Sequence, residues 1–327
     1  MYLLKNTEIL NMPVIHKITH LSELSEIIKS KSGYSMTIGV FDGIHLGHQF
    51  LINETIKIAK NHNHNSCLIS FSNSPYHFLT KKNDSNNYLS TKYEKTNILS
   101  NYKIDDIFFI EFNDEIANTK AYNFLEYLNT SSNLKSLIIG PDFSLGKNKE
   151  GNINYLNKMQ NTFNYKLHVA EPYISQNQIV SSTLIKKLID QKQIIKANQC
   201  LGYFYNLTGK VIKGENRGKD LNMPTANLLI DQKKFVPPEG IYACKVKYGK
   251  KKYTAALSIG KNPTFGNNNP LSIEVHIVDF SKSLYNETLT IEIHEHIRDQ
   301  ITYSDIIKLK EQMQKDLNNI KKYFKNE

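Results

Sequence analysis

The chain has 327 residues, 40% of them hydrophobic and 22% charged, which predicts a globular protein of about two domains and excludes a disordered chain. No apolar run approaches the roughly 20 residues that span a bilayer, and residues 1–11 carry no small-residue cleavage site, so we expect neither a membrane anchor nor a signal peptide. The three cysteines, Cys67, Cys200 and Cys244, follow no disulfide or metal-ligand spacing, which indicates reduced thiols and a cytoplasmic protein.

The net charge of +10 raises the question of a nucleic-acid partner. The basic excess is mostly lysine, and it is dispersed among abundant Asn and Ile rather than concentrated in one stretch. This distribution favours a solvated basic surface over a nucleic-acid groove. We therefore expect no nucleic-acid partner, although a positive field would attract small substrates that carry phosphate.

The first half of the chain alternates short apolar runs with helical patterns. The apolar runs are at residues 13–17, 35–41, 67–71, 107–112 and 137–139, and the helical patterns are at 49–60, 92–101 and 120–129. This alternation predicts crossover units and a parallel sheet that binds ligands at its carboxyl edge. Two short helical patterns, at residues 182–190 and 193–201, close this half.

The second half is rich in short β-type runs separated by turn-forming clusters. The runs are at residues 206–212, 241–246, 253–259, 272–278 and 288–293. This pattern predicts a small antiparallel barrel. Residues 303–324 then have the periodicity of an amphipathic helix, with Ile306, Met313, Leu317, Ile320 and Phe324 on a face that we expect to be core. We place the domain boundary near residue 200, with domains at 1–200 and 201–327.

The string Gly39-Val-Phe-Asp-Gly-Ile-His-Leu-Gly-His48 lies where a predicted buried strand meets a predicted helix. The first turn of a helix exposes unpaired N–H groups and its dipole favours anions, so this position suits a phosphate. Gly43 and Gly47 permit close approach of a ligand, and His45 and His48 can donate to charge that grows on an α-phosphate under attack. The alternative, two ordinary surface histidines beside a glycine turn, is disfavoured by the length of the string.

Two further groups of residues suggest phosphate and metal chemistry. Ser181, Ser182 and Thr183 offer hydroxyl donors at a helix start, although a plain N-cap explains them equally well. Thr225 and Asn227 are alternate residues, so their side chains share a face of an extended segment and offer hard oxygen ligands to Mg²⁺. The alternative is a turn that enters a strand.

These strings resemble the bacterial bifunctional riboflavin kinase/FAD synthetases. The string 39–48 is similar to the signature of their adenylyltransferase module, a Rossmann-like relative of other nucleotidylyltransferases, and residues 139–146 and 180–186 resemble two later segments of that module. Residues 214–227 resemble the riboflavin kinase motif, with Asn222 and Met223 in place of the usual Gly and Phe, and residues 258–266 and 273–280 resemble two more kinase segments. The resemblance covers nearly the whole chain from about Pro13 onward.

The resemblance implies two reactions: ATP-dependent phosphorylation of riboflavin to FMN, and adenylylation of FMN to FAD with release of pyrophosphate. It implies that Glu274, on a strand face shared with His276, is the kinase base, that His45 and His48 are catalytic in the adenylyltransferase, and that Thr225 and Asn227 bind Mg²⁺. Flavin contacts are expected from Phe71 and Arg298. Nucleotide contacts are expected from Gly39, Phe41, Asp42, Gly43, Gly47, Asp142, Ser181, Ser182, Thr183, Lys186, Arg217, Gly218 and Pro224.

The chain also departs from the family pattern. Leu184 and Lys186 stand where family members often have arginines, and lysine lacks the bidentate fork that grips phosphate. Residues 71–75 replace an acidic-Pro-His-Pro run. One alternative is therefore a riboflavin kinase with a degenerate adenylyltransferase module. A second alternative is a nucleotide-dependent RNA-binding protein, which the absence of a Lys-Met-Ser-Lys-Ser-like loop disfavours.

Overall fold

The computed structural model describes residues 13–24, 31–81, 87–175, 177–214, 223–261, 271–303 and 305–325. The chain forms two compact units. The first consists of Met1–Asp84 and Lys92–Val180, and the second consists of Ser85–Thr91 and Ser181–Glu327. A short segment from within the first half of the sequence thus belongs to the second unit. Among the described residues, no helix has the length and apolar character needed to cross a membrane.

The described part of the first unit contains a parallel sheet of six strands in the order β1-β4-β3-β2-β5-β6. The strands are β1 (Val14–Ile18), β2 (Tyr34–Gly39), β3 (Asn65–Phe71), β4 (Asp106–Ile110), β5 (Leu134–Ile139) and β6 (Lys166–Val169). After β2, the chain adds β3 and β4 on one side of β2 and then adds β5 and β6 on its other side. The strand order therefore reverses between β2 and β5. Ligands of open parallel sheets bind at the carboxyl edge beside such a reversal.

Helices cover the sheet of the first unit. They are α1 (Leu46–His62), α2 (Pro75–Thr80), α3 (Lys92–Leu99), α4 (Asp114–Asn118), α5 (Ala121–Ser132) and α6 (Ile153–Phe163). One core cluster packs Met36, Ile69 and Leu137 against Leu125 and Leu156, and a second cluster includes Ile52, Leu68 and Ile107. A short hairpin of β7 (Ile174–Ser175) and β8 (Gln178–Ile179) follows the sheet. The predicted α/β class is confirmed.

In the described part of the second unit, six antiparallel strands close into a barrel in the order β10-β13-β12-β11-β14-β9. The strands are β9 (Asn206–Ile212), β10 (Ala226–Ile230), β11 (Gly240–Tyr248), β12 (Lys251–Lys261), β13 (Leu271–Ile277) and β14 (Thr288–Arg298). The helices α7 (Ser182–Asp190) and α8 (Ile194–Leu201) precede the barrel, and α9 (Ile306–Lys325) follows it. The predicted antiparallel barrel with a terminal helix is confirmed.

Residues 87–89, which are part of the short segment that belongs to the second unit, are hydrogen-bonded to residues 233–235, between β10 and β11. The backbone N–H groups of Asn87 and Tyr88 donate to the carbonyl of Lys233 at 2.9 and 2.8 Å. The ammonium of Lys234, which is only 2% exposed, donates to the carbonyl of Leu89 at 2.6 Å and lies 4.3 Å from the ring centroid of Tyr205. A buried ammonium requires such partners, because its desolvation is costly.

Several local expectations differ from the structure. The first strand at the reversal ends at Gly39 instead of residue 41, because Phe41 has a left-handed backbone with φ 50° that a strand cannot include. The following helix begins at Leu46, three residues earlier than its apolar pattern begins. On α9, Leu317 and Ile320 are buried as expected, whereas Ile306, in the first turn of that helix, is 62% exposed.

Candidate active sites

The glycine- and histidine-bearing loop lies at the carboxyl end of β2, beside the strand reversal. Residues 40–45 connect β2 directly to α1, and β5, the neighbour of β2 across the reversal, ends at Ile139 just before the second glycine-bearing loop. Parallel strands deliver both loops to the same edge of the sheet. The topology therefore brings together two segments that lie about a hundred residues apart in the sequence.

Left-handed backbone conformations shape the first loop. Phe41 has φ 50°, Gly43 has φ 77° and Ile44 has φ 37°, and the phenyl ring of Phe41 is buried. For a β-branched residue such as Ile44 this conformation is unfavourable and is maintained by surrounding structure. A Cβ atom on Gly47 would lie 3.3 Å from the imidazole of His45, so glycine at this position leaves room for that ring against the first turn of α1. Strained, tightly packed backbone of this kind is concentrated at functional sites.

The imidazoles of His45 and His48 stack on each other, with ring centroids 3.7 Å apart. Nδ1 of His45 accepts the backbone N–H of His48 at 3.4 Å, which caps α1 and leaves Nε2 of a neutral His45 to carry its proton. Burial lowers the pKa of His45 to about 4. Burial also lowers the pKa of His48 well below its usual value, and the charges of His45 and Lys95 add to this effect. Both rings are therefore neutral N–H donors at neutral pH.

A buried lysine that the sequence analysis did not identify lies behind this loop. Lys95, on α3, is 5% exposed, and its ammonium donates to the carbonyl of Val40 at 2.6 Å and to the hydroxyl of Ser70 at 3.3 Å. Burial lowers the pKa of Lys95 to about 8, while the nearby carboxylate of Asp42 opposes the shift. The sequence did contain a sign of this burial. Lys95 lies four residues before Leu99, which is one helical turn, so the two side chains share the buried face of α3.

The second glycine-bearing loop borders an open cleft. The cleft measures about 550 Å³, and its lining includes Pro141, Asp142, Phe143 and Lys149 together with the start of α6. Asp142 is exposed there, as a ligand contact requires. Phe71 lies at the carboxyl end of β3, where its ring packs edge-on against Phe112 with centroids 5.6 Å apart. Both predicted contacts thus lie at the carboxyl edge of the sheet, the edge used by ligands.

The Ser-Ser-Thr segment belongs to the second unit, at the start of α7. The hydroxyl of Ser181 accepts the backbone N–H of Leu184 at 3.2 Å and is the N-cap of this helix. This is the capping arrangement that the sequence allowed as an alternative. Thr183 is exposed, whereas Ser182 and Lys186 are half-buried. Their predicted contacts with nucleotide stay predictions.

On the barrel, the predicted kinase residues converge. Asn227 of β10 is the register partner of Glu274 of β13, and the hydroxyl of Thr225 donates to Oε2 of Glu274 at 2.9 Å. The hydroxyl of Ser272 donates to Oε1 of the same carboxylate at 3.1 Å. Because Ile273 and Val275 point into the barrel, Glu274 lies on the outer face, half-buried. A carboxylate, two hydroxyls and an amide thus share one small region of the surface.

The surroundings of this cluster are tightly fitted. Nδ1 of His276 donates to the carbonyl of Pro224 at 2.9 Å, which ties the start of β10 to β13. A Cβ atom on Gly214 would lie 2.0 Å from the amide nitrogen of Asn227, so a larger residue at position 214 would displace the Asn227 side chain. The predicted contacts Arg217 and Gly218 lie outside the described residues.

The donor set of the barrel cluster fits Mg²⁺. Thr225 directs its hydroxyl proton to Glu274, so the lone pairs of that oxygen are available to a cation. The amide oxygen of Asn227 is a second hard ligand, and Mg²⁺ normally completes its shell with water and substrate phosphates. The hydroxyl oxygen of Thr225 and the amide oxygen of Asn227 are therefore enough protein ligands for a Mg²⁺ site of this kind.

Arg298 has a clear structural partner. Its Nε and one terminal nitrogen donate to the carboxylate of Asp316 on α9 at 2.7–3.1 Å, and Asp316 is only 4% exposed. Its other terminal nitrogen donates to the carbonyl of Asp299 at 2.8 Å. These contacts fix the last residue of β14 to the terminal helix. The predicted flavin contact of Arg298 stays a prediction.

The fold and the two sites define the class of the protein. One unit is a Rossmann-like sheet with a nucleotide-type loop at its strand reversal, and the other is an antiparallel barrel with a hydroxyl–amide–carboxylate cluster. Two family models match the chain in the same order. The FAD synthetase model matches residues 27–184, and the riboflavin kinase model matches residues 201–324.

Curated relatives match almost the whole chain. The bifunctional riboflavin kinase/FMN adenylyltransferase of Buchnera aphidicola subsp. Schizaphis graminum is 36% identical, over 90% of this chain and 96% of the relative. Enzymes of the same name from Bacillus subtilis and Escherichia coli K12 are 29% and 26% identical, over 95% and 96% of this chain and 99% and 98% of their own. The chain belongs to the family of bifunctional riboflavin kinase/FMN adenylyltransferases.

One solved structure agrees with this fold along nearly its whole length. It is named a macrolide-efflux protein from Streptococcus pneumoniae, is 25% identical, and superimposes with a TM-score of 0.84 over 94% of this chain and 99% of its own. Its name differs from those of the curated relatives. The agreement supports the arrangement of a parallel sheet followed by a barrel, and the family assignment rests on the sequence relatives.

Proposed function

We propose that this chain makes FAD from riboflavin in two steps at two sites. The barrel transfers the γ-phosphoryl group of ATP to riboflavin, giving FMN and ADP, and the sheet unit joins FMN to the AMP moiety of a second ATP, releasing pyrophosphate. The observation that carries this proposal is the presence of two separate constellations in one chain: the histidine loop at the strand reversal and the Thr225–Asn227–Glu274 cluster on the barrel.

In the kinase step, Glu274 accepts the proton of the terminal ribityl hydroxyl as that oxygen attacks the γ-phosphorus. Thr225 and Ser272 hold the carboxylate in place through its two oxygens. Thr225 and Asn227 would hold Mg²⁺, which would neutralise charge on the phosphates; positioning and charge neutralisation are most of what phosphoryl transfer requires. Arg217, Gly218 and Pro224 are the proposed nucleotide contacts of the kinase site.

In the adenylyltransferase step, a phosphate oxygen of FMN attacks the α-phosphorus of ATP and pyrophosphate leaves. The attacking oxygen is already an anion, so no general base is needed. His45 and His48 donate N–H groups to the α-phosphate, on which charge accumulates during attack. Gly39, Phe41, Asp42, Gly43, Gly47, Asp142, Ser181, Ser182, Thr183 and Lys186 are the proposed nucleotide contacts, and Phe71 is the proposed flavin contact of this site. Arg298, on the barrel, is the proposed flavin contact of the kinase site.

We also propose that residues 1–200 are the adenylyltransferase domain and residues 201–327 the kinase domain, close to the spans matched by the two family models. The described structure supports a location in a reducing compartment, the cytoplasm, since Cys67, Cys200 and Cys244 are all buried free thiols. Nucleic acid has no place in the proposed reactions.

A single time course tests the proposal. The purified chain is incubated with riboflavin, ATP and Mg²⁺, and riboflavin, FMN and FAD are resolved at successive times. Transient FMN followed by FAD is the expected result. FMN that accumulates without FAD would support a kinase with a degenerate adenylyltransferase module, which the lysine at position 186 in place of an arginine favours. No FMN at all would refute the proposal.

A further inference from the structure

The buried ammonium of Lys95 is joined to the carboxyl ends of two strands. It donates to the carbonyl of Val40, immediately after β2, and to the hydroxyl of Ser70, the penultimate residue of β3. That hydroxyl in turn donates to the same Val40 carbonyl at 3.0 Å. A charged donor, a hydroxyl and a carbonyl thus form one closed network beneath the histidine loop.

This network fixes the backbone where the loop departs from the sheet. Val40 is followed by the left-handed Phe41, whose ring packs edge-on against His48 with centroids 5.1 Å apart. The Val40 carbonyl lies at the start of that turn, so its orientation sets the direction in which the chain leaves the sheet. A hydrogen bond from a charged donor is roughly twice as strong as a neutral one, so Lys95 is well suited to hold an unfavourable turn in place.

Lys95 is also a source of positive charge at this site. His45 and His48 are neutral at neutral pH, so they contribute donors without a net charge. The ammonium of Lys95 is near enough to act on His48 and to feel the carboxylate of Asp42. In a water-poor environment a fixed charge acts over several ångströms with little screening.

We propose that Lys95 is a positioning residue of the adenylyltransferase site, which fixes the Val40–Phe41 turn and supplies fixed positive charge behind the two histidines. It acts through the loop and through its field, without contact with the substrate. This inference rests on the proposed adenylyltransferase function of the first unit. The kinase site, in the other unit, does not depend on it.

The test uses Lys95→Met in the full-length chain. Methionine preserves length and tolerates burial, and Ser70 still donates to the Val40 carbonyl, so no backbone group loses its last partner. The matched control is Lys92→Met, which removes the same charge from an exposed position on the same helix. FAD formation from supplied FMN measures the first site, FMN formation from riboflavin measures the second, and a thermal unfolding profile like that of the wild-type chain reports that the first unit is folded.

The expected result is a 10- to 100-fold lower kcat/KM for FAD formation in Lys95→Met, about the effect of losing one charge-assisted hydrogen bond. FMN formation should be unchanged, and Lys92→Met should retain both activities within about twofold. Unchanged FAD formation in Lys95→Met would overturn the inference. A wild-type chain that makes no FAD would instead refute the proposed function itself.

The pH profile of the wild-type chain is a second test, which needs no variant and decides the matter if Lys95→Met does not fold. Among the described residues, the titratable groups that act on Lys95 or are acted on by it are Asp42 in the loop and His48 of α1. The Val40 carbonyl and the Ser70 hydroxyl, which accept its hydrogen bonds, do not titrate. Both histidines are neutral above pH 7, so loss of the Lys95 proton is the expected change. kcat/KM for ATP in FAD formation should fall above pH about 8, relative to FMN formation. A constant ratio up to pH 9.5 would contradict the role of the charge.

Discussion

Glu274→Gln separates the chemistry of the barrel site from its architecture. The amide has the shape of the carboxylate, and its oxygen can accept the proton of one of the two hydroxyls, Thr225 or Ser272. Its NH2 group can donate to the other hydroxyl, which rotates to accept. It cannot take up the proton of an attacking ribityl hydroxyl. The substitution therefore removes the proposed base while it retains the local packing.

Two magnitudes follow from the contacts of this side chain. General-base assistance contributes about 10²- to 10⁴-fold, so kcat for FMN formation should fall by that factor. Stability should change little, because a hydrogen bond to a charged acceptor is stronger than a neutral one by only roughly 1 kcal/mol and Glu274 is half-buried at the surface. A loss of activity that large would therefore come from chemistry, since so small a destabilisation leaves the chain folded.

The assay follows FMN from riboflavin and, separately, FAD from supplied FMN in the same preparation. Glu292→Gln is the control: it is another half-buried glutamate between two buried isoleucines of a barrel strand, and its partner is Lys252 at 2.7 Å. We expect the control to retain both activities and Glu274→Gln to lose FMN formation alone. If Glu274→Gln loses less than tenfold in FMN formation, Glu274 is not the base. Equal loss of both activities would refute the assignment of two independent sites.

Four other results are expected. His48→Ala should lower FAD formation from FMN by about 10²- to 10³-fold, the usual effect of removing one transition-state donor, with FMN formation unchanged. Because the pKa of His45 is about 4 and that of His48 is also lowered, neither histidine should add a limb near pH 6.5 to FAD formation beyond that of the FMN phosphate, whose second pKa is about 6. A second limb there would contradict neutral donors. Between the lowered pKa values of the two histidines and about pH 6.5, the unfolded chain binds more protons than the folded chain. The free energy of unfolding of the first unit should therefore fall as pH decreases through that range, and urea titrations at several pH values measure it. Asp316→Ala leaves the guanidinium of Arg298 without its carboxylate and should lower stability by about 3–5 kcal/mol; a loss below about 1 kcal/mol would show that the ion pair does not anchor α9.

The periodicity of the sequence was sufficient for most of the secondary structure. Residues 182–190 and 206–212 were predicted to the residue, because a clear apolar period coincides there with a capping serine or a turn. Helix α6 was missed, although its N-cap Asn152 accepts the N–H of Tyr155 at 3.0 Å, since only Leu156 and Phe163 of that helix are buried. A helix with so narrow a buried stripe has a weak sequence pattern.

For the sites, the motifs identified residue types, and alternation along a strand identified shared faces. Ile273 and Val275 had to face the core, so Glu274 had to face outward, and the structure confirms this. The ion pair of Arg298 was not predictable, because its partner Asp316 lies on a helix and has no sequence feature that distinguishes it from an exposed aspartate.

The sequence by itself determined the two kinds of domain, their order along the chain and the two strings that carry the chemistry, because hydrophobic period and turn residues are local properties. Only the tertiary structure decided that β2 and β5 are neighbours, that Thr225 and Ser272 hold Glu274 from two sides, and that the ammonium of Lys95 lies behind the histidine loop. These are contacts between segments far apart in the chain, and they depend on which strands pair and in which register. That choice is made by the packing of the whole core, which no local pattern encodes.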